Sequence, residues 1–222
     1  ISSWANGSHG LDALLNIWNV VLGAAVFFLA RVLGNLYFIN RINDAPLTIR
    51  CRKTLRIETV AFLVFFLAFV IRTLLSNGFA VDPGTEVIYM EPYKYLTNFL
   101  EMPVVAILFL IGVVLVLWGI GKTIFSTSYT KGIWFTGFGT VFTVLALLLT
   151  AGYNHTSYYP STADLQSSLT LANSCSSEFT LKTMAYVSIL VPFVLAYIVY
   201  AWRAIDNKKI DTKELKEDGH SY

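Results

Sequence analysis

Charge is what this sequence has least of. Only 14% of its 222 residues are Asp, Glu, Lys or Arg, and 55% are apolar. A typical soluble domain carries about 25% charged residues. A water-soluble fold of this size could not cover its surface with so few. The net charge of +2 is too small for a nucleic-acid partner, and no basic face is interleaved with aromatics. Cysteine is scarce too. Cys51 and Cys175 match no zinc spacing. There is no Ser/His/Asp or HExxH arrangement. The three histidines, His9, His155 and His220, all fall outside the apolar stretches, so none offers an intramembrane haem ligand. Gly119-Ile-Gly121-Lys122-Thr123 has the letters of a phosphate loop. The motif needs a glycine five positions before Gly121, and Val116 stands there. The chain opens on Ile1 without a basic leader. It is expected to be processed or to be part of a longer chain.

What is there instead is oil in long runs. A helix crossing a bilayer needs about 20 mostly apolar residues. Five stretches qualify: 14–37, 57–75, 103–120, 133–151 and 184–202. The expected fold is all-α. It is a polytopic membrane helical bundle of about five transmembrane helices, a four-helix bundle plus a peripheral helix. Residues 1–202 form the membrane domain and 203–222 a charged cytoplasmic tail.

The connections differ sharply in sign. Arg31, Arg41, Arg50, Arg52, Lys53 and Arg56 surround the first connection. Lys122 and Lys131 mark the third. Arg203, Lys208, Lys209, Lys213 and Lys216 mark the tail. These are 13 of the 16 basic residues. The other side holds Arg72, Lys94 and Lys182. Basic loops stay in the cytoplasm, so the N-terminus is expected outside and the C-terminus inside. Cys51 and Cys175 then lie on opposite sides and cannot pair. Tyr37, Trp118, Trp134, Tyr200 and Trp202 fall at inner ends, and Tyr89, Tyr93, Tyr95, Tyr153, Tyr158 and Tyr159 at the outer face, as interfacial rings do.

Few side chains could carry chemistry. Glu58 sits about one turn inside the second span, where a carboxylate is a functional candidate by default. Its plain alternative is an interfacial ion pair with Arg56 or Arg31. Glu101 precedes Pro103 at the mouth of the third span. The positive end of the helix dipole accounts for it; a place on a proton path is the alternative. Arg31 and Arg72 lie near span ends, where long side chains snorkel to water. Thr136, Thr140 and Thr143, near Gly132 and Gly139, mark a helix-packing face. Pro192 interrupts the fifth span. Asn6-Gly7-Ser8 and Asn154-His155-Thr156 fit the glycosylation sequon. No catalytic, cofactor-binding or metal-binding residue is assigned.

The wording of the last seventy residues goes further. Leu149-Thr150-Ala151-Gly152 closes a helix. Tyr159-Pro160-Ser161, Ser168-Leu169-Thr170-Leu171, Ser176-Ser177 and Thr180-Leu181-Lys182-Thr183-Met184 follow, then Val191-Pro192, Tyr197, Trp202 and a closing His220-Ser221-Tyr222. Tyr95-Leu96-Thr97-Asn98-Phe99 stands two residues before Glu101. This resembles the C-terminal half of subunit II of cytochrome bd-type quinol oxidases. The resemblance covers all 222 residues, strongly at the C-terminal end and diffusely over the first two spans. It implies about four more spans upstream. It also implies a haem-bearing subunit I holding haem b and haem d, with this chain as a haem-free scaffold beside it. A small third subunit is a further possible partner. The complex oxidises quinol and reduces dioxygen to water in the bacterial cell inner membrane. The family's polar proton-route residues lie mostly in the other half, so none transfers to this chain. Glu58 and Glu101 stand on physics alone. The rival readings are a secondary transporter or permease fragment, which calls for a polar midplane site, and a membrane anchor or assembly protein.

Overall fold

A computed structural model describes residues 7, 11–161 and 163–206. His9, His220, the Asn6 sequon and the tail from residue 207 onward lie outside the described residues. Among the described residues, five helices are long and apolar enough to cross a bilayer: α1 (Ile17–Arg41), α2 (Ala45–Leu75), α4 (Pro103–Phe125), α5 (Gly132–Gly152) and α7 (Glu178–Asp206). Shorter helices are α3 (Lys94–Glu101) and α6 (Leu171–Ser174).

The helix starts follow local chemistry. Asn16 caps α1 by accepting from the Trp18 N–H at 3.0 Å. Asp44 caps α2 by accepting from the Leu47 N–H at 3.0 Å, with Pro46 in the first turn. Such caps satisfy donors that have no intrahelical partner. The α2 helix therefore begins at Ala45, twelve residues before the apolar stretch starts at Ile57. At about 1.5 Å per residue its 31 residues reach about 46 Å, against a hydrocarbon core of about 30 Å.

Two antiparallel hairpins make the bundle. α1 packs along α2 and α4 along α5, and α1–α5 and α2–α4 contacts join the pairs. Val32, Leu36, Ile39, Leu55, Phe62, Val116 and Ile120 form the shared core. The α4–α5 seam is close enough to require glycine. A Cβ on Gly112 would lie 2.7 Å from the Thr143 nitrogen, and one on Gly119 2.7 Å from the Gly132 oxygen. Small residues let membrane helices approach in this way. Thr136 and Thr143 are buried in this seam, and Thr140 is half-buried beside them. α7 stands apart, with no buried residue in its apolar window.

The helical bundle carries a small two-stranded cap at one end. β1 (Gly78–Val81) pairs antiparallel with β2 (Ile88–Glu91), Gly78 opposite Glu91 and Val81 opposite Ile88. Asp82-Pro83-Gly84 makes the turn, and the Asp82 carboxylate accepts from the Gly84 N–H at 3.0 Å and the Thr85 hydroxyl at 2.7 Å. The 155–157 segment extends the other edge of β1, through Val81 N–H to His155 O at 2.8 Å and Ser157 N–H to Phe79 O at 2.9 Å. The Gln166 amide pairs with both backbone groups of Ile88, at 3.0 and 2.8 Å. It stands in for a strand and covers an edge that would otherwise be open.

Candidate functional site

Two polar clusters interrupt the apolar bundle, one toward each end. The first is centred on Glu58, whose side chain is almost wholly buried on α2. One carboxylate oxygen takes the Arg31 Nε–H from α1. The other accepts from the Asn35 amide at 2.6 Å. Asn35 also donates to the Arg31 carbonyl at 3.0 Å. Arg31 itself is half exposed and lies over the Phe27 ring. Of the two partners considered for Glu58, Arg31 is the one. Arg56 faces out on the opposite side of α2. The Arg31–Glu58 spacing arises because α1 and α2 run antiparallel from the turn at 42–44. Asn35, one turn from Arg31, was missed by sequence reasoning. An i, i+4 pair of polar residues on an apolar helix was the available signal.

The second cluster joins α3, the end of α5 and the two-stranded cap. Asn98 is fully buried. Its amide donates to the Thr150 carbonyl and the Thr156 hydroxyl, both at 2.9 Å. Its oxygen accepts from the Asn154 amide at 3.1 Å, and Asn154 also donates to Glu101 at 2.5 Å. Asn154 and His155 hold positive φ, 57° and 52°. This cluster corrects the reading of Glu101. The residue ends α3, and the chain breaks at Met102 before α4 starts at Pro103. Glu101 is thus not in the first turn of the spanning helix. It is an exposed acceptor tied to Asn154. The sequon at Asn154 is held inside this network by both bonds. Outside the bilayer, the Gly84 N–H and the Thr85 hydroxyl hold the Asp82 carboxyl below the usual range, and burial holds the Tyr95 phenol above its own.

A third buried polar group lies at the same end as Glu58. Arg52 donates to the carbonyls of Thr123, Ser126, Thr127 and Tyr129, the last three at 2.8–3.0 Å. It caps the end of α4 and fixes the turn into α5. Sequence reasoning counted it as a loop charge. Lys122 lies over the Trp118 and Tyr129 rings, and Arg72 over Trp18.

The bundle centre holds an apolar cavity of about 90 Å³ between α1, α2, α4 and α5. Its wall is aliphatic and phenyl, with Thr140 and Thr143 the polar members. No His, Met or Cys lines it, so the residues there do not fit a haem, whose iron takes axial ligands of those types. Among the described residues no three His, Cys, Asp or Glu side chains gather as a metal site requires. Cys51 and Cys175 are both free thiols.

These features define a class: a polytopic helical membrane protein with buried polar groups that hydrogen-bond between its helices. The chain belongs to the cytochrome bd terminal oxidase subunit II family, whose model matches residues 2–205. It is 24% identical over 225 residues to the cytochrome bd-I ubiquinol oxidase subunit 2 of Escherichia coli strain K12. The same-named proteins of the O6:H1 and O157:H7 strains match equally. The alignment covers 95% of this chain and 55% of each relative. The chain therefore spans about half the length of the curated relatives it matches.

Proposed function

We propose that this chain belongs to the C-terminal half of subunit II, the non-catalytic, haem-free scaffold of a cytochrome bd-type terminal oxidase. In this reading the complex oxidises quinol and reduces dioxygen to water. A haem-bearing subunit I supplies haem b and haem d, and a small third subunit can join. The assembly sits in a bacterial inner membrane, with the start of this chain outside and its basic tail in the cytoplasm. The family match over residues 2–205 carries the proposal. The unpacked surface of α7 supports a role in packing against a partner.

Within that assembly, Glu58 and Glu101 act as structural acceptors. Both Glu58 oxygens are already engaged, by Arg31 and Asn35. A proton carrier needs an oxygen free to exchange with water or a second acid. The reading favours scaffold over permease for a related reason. The charged residues inside the bundle are paired or capped near its ends, and the centre is apolar, whereas transporters place polar groups at the midplane.

Deletion of the full-length gene tests the role. Quinol-driven oxygen consumption by the deletion membranes should be lost and should return on complementation. Unchanged consumption, with no rival oxidase present, contradicts the proposal.

A further inference from the structure

The projecting end of α2 presents cations that nothing in the described chain neutralises. Arg50, Lys53 and Arg56 are all exposed. None has an ion-pair partner among the described residues. The opposite face of the same helix is buried through Cys51, Arg52, Leu55 and Glu58. The one acid of α2, Glu58, is engaged by Arg31 and Asn35 instead of by the three cations.

Their position along the helix gives the patch its meaning. Lys53, Ile57, Val60 and Val64 succeed one another at steps of four, three and four residues, which is one face of an α-helix. The apolar members of this face are exposed, Ile57 at 67%, Val60 at 63% and Val64 at 59%, and the stripe continues to Ile71. Aliphatic side chains therefore run straight into cations at the point where a helix of about 46 Å leaves a core of about 30 Å. Arg50 precedes Lys53 by three residues, and Arg56 precedes Val60 by four. Acyl chains match the upper part of this surface. A phosphate matches the lower part, since guanidinium groups donate in pairs to phosphate oxygens.

We propose that Arg50, Lys53 and Arg56 form a binding site for the headgroup of an anionic phospholipid, whose chains lie along Ile57, Val60 and Val64. The site belongs to the lipid boundary of the bundle. It holds whether or not the oxidase reading above is correct.

The test uses the full-length chain with its copurifying partners, in nanodiscs of equal phosphatidylglycerol and phosphatidylcholine. Lipids retained on ejection are counted by native mass spectrometry. Each basic residue beside an anionic surface contributes about 1 kcal/mol, or about fivefold. The wild type should retain phosphatidylglycerol at least tenfold over phosphatidylcholine. Arg50→Gln/Lys53→Gln/Arg56→Gln should bring that ratio near one. Should the triple variant not insert, Lys53→Gln alone should lower the ratio about fivefold. Salt near 1 M should lower the wild-type ratio as well, since the Debye length falls to about 3 Å. Inorganic phosphate at millimolar concentration should leave it unchanged, because it lacks the acyl chains. A ratio unaffected by Lys53→Gln and by salt overturns the proposal. So does a carbodiimide cross-link joining Lys53 to a carboxylate of another polypeptide, which would make the occupant a protein.

Discussion

Replacing Gly119 by alanine should destabilise the bundle, while the same change at Gly121 should not. A Cβ at Gly119 would stand 2.7 Å from the Gly132 carbonyl oxygen and 2.9 Å from the Thr136 nitrogen. Comfortable carbon contacts begin at about 3.5 Å. Both neighbours are backbone atoms of α5, so no side chain can swing away. The helices must separate by about 0.5–1 Å, and that gap forfeits a quarter to a half of the contact energy along the seam. Overpacking of this kind costs about 1–3 kcal/mol. Gly121 lies on the same helix, two residues on, with nothing within 4 Å of its Cβ position. There alanine should gain about 0.5–1 kcal/mol from helix propensity. The two variants should therefore differ by about 1.5–4 kcal/mol. Thermal unfolding in one detergent, run side by side, measures the difference. Equal melting of the two variants would refute the claim that the α4–α5 seam depends on backbone approach.

Other consequences follow from the same contacts. Glu58→Gln leaves the Arg31 charge unpaired. It should cost about 1–2 kcal/mol in detergent stability, less than the 3–5 of a fully buried pair because Arg31 is half exposed. Quinol oxidation should stay within tenfold of wild type; a larger loss, above about 1.4 kcal/mol of barrier, would place Glu58 in the proton path. Arg52→Met removes the donor to four carbonyls. It should cost about 3 kcal/mol and open the 126–131 turn to protease. Arg52→Lys should recover only part of this, with three donors on a single nitrogen. Asp82 stabilises its turn fully above the unfolded carboxyl value of about 3.9, and that contribution fades as pH falls through its lower folded value. Amide exchange over 82–88, taken as a ratio to Asp82→Asn at each pH, should converge only in acid. A ratio flat from pH 2.5 to 6 would exclude the carboxylate's part in the turn.

Some of this architecture is written in single residues and some is not. The five apolar runs are visible because hydrocarbon length is a hard constraint and the chain has no other means of crossing it. The early start of α2 went unread. Asp44-Ala45-Pro46 is a capping sequence with proline in the first turn, but the charges after it read as a loop. Those charges belong to a helix projecting beyond the apolar stretch. The Glu58–Arg31 pair could be named as one of two options, because helix handedness alone does not say which neighbour lies across from a residue. Glu101 was misplaced for a local reason. Pro103 was read as the first helical position, which holds, but the preceding turn proved to be a separate helix ending on Glu101. The Asn98–Asn154–Thr156 network was out of reach. It joins residues more than fifty positions apart through a loop with positive φ, and no short-range pattern announces such contacts.

The proposed function has this chain, as part of subunit II, holding a haem-bearing partner. An affinity tag on the full-length protein, mild extraction, and a dithionite-reduced minus air-oxidised spectrum of the purified material test it most directly. Absorbance bands of haem b and haem d, carried on a larger copurifying polypeptide, are the predicted result. A clean preparation of the tagged chain with its native partners and no haem absorbance would contradict it.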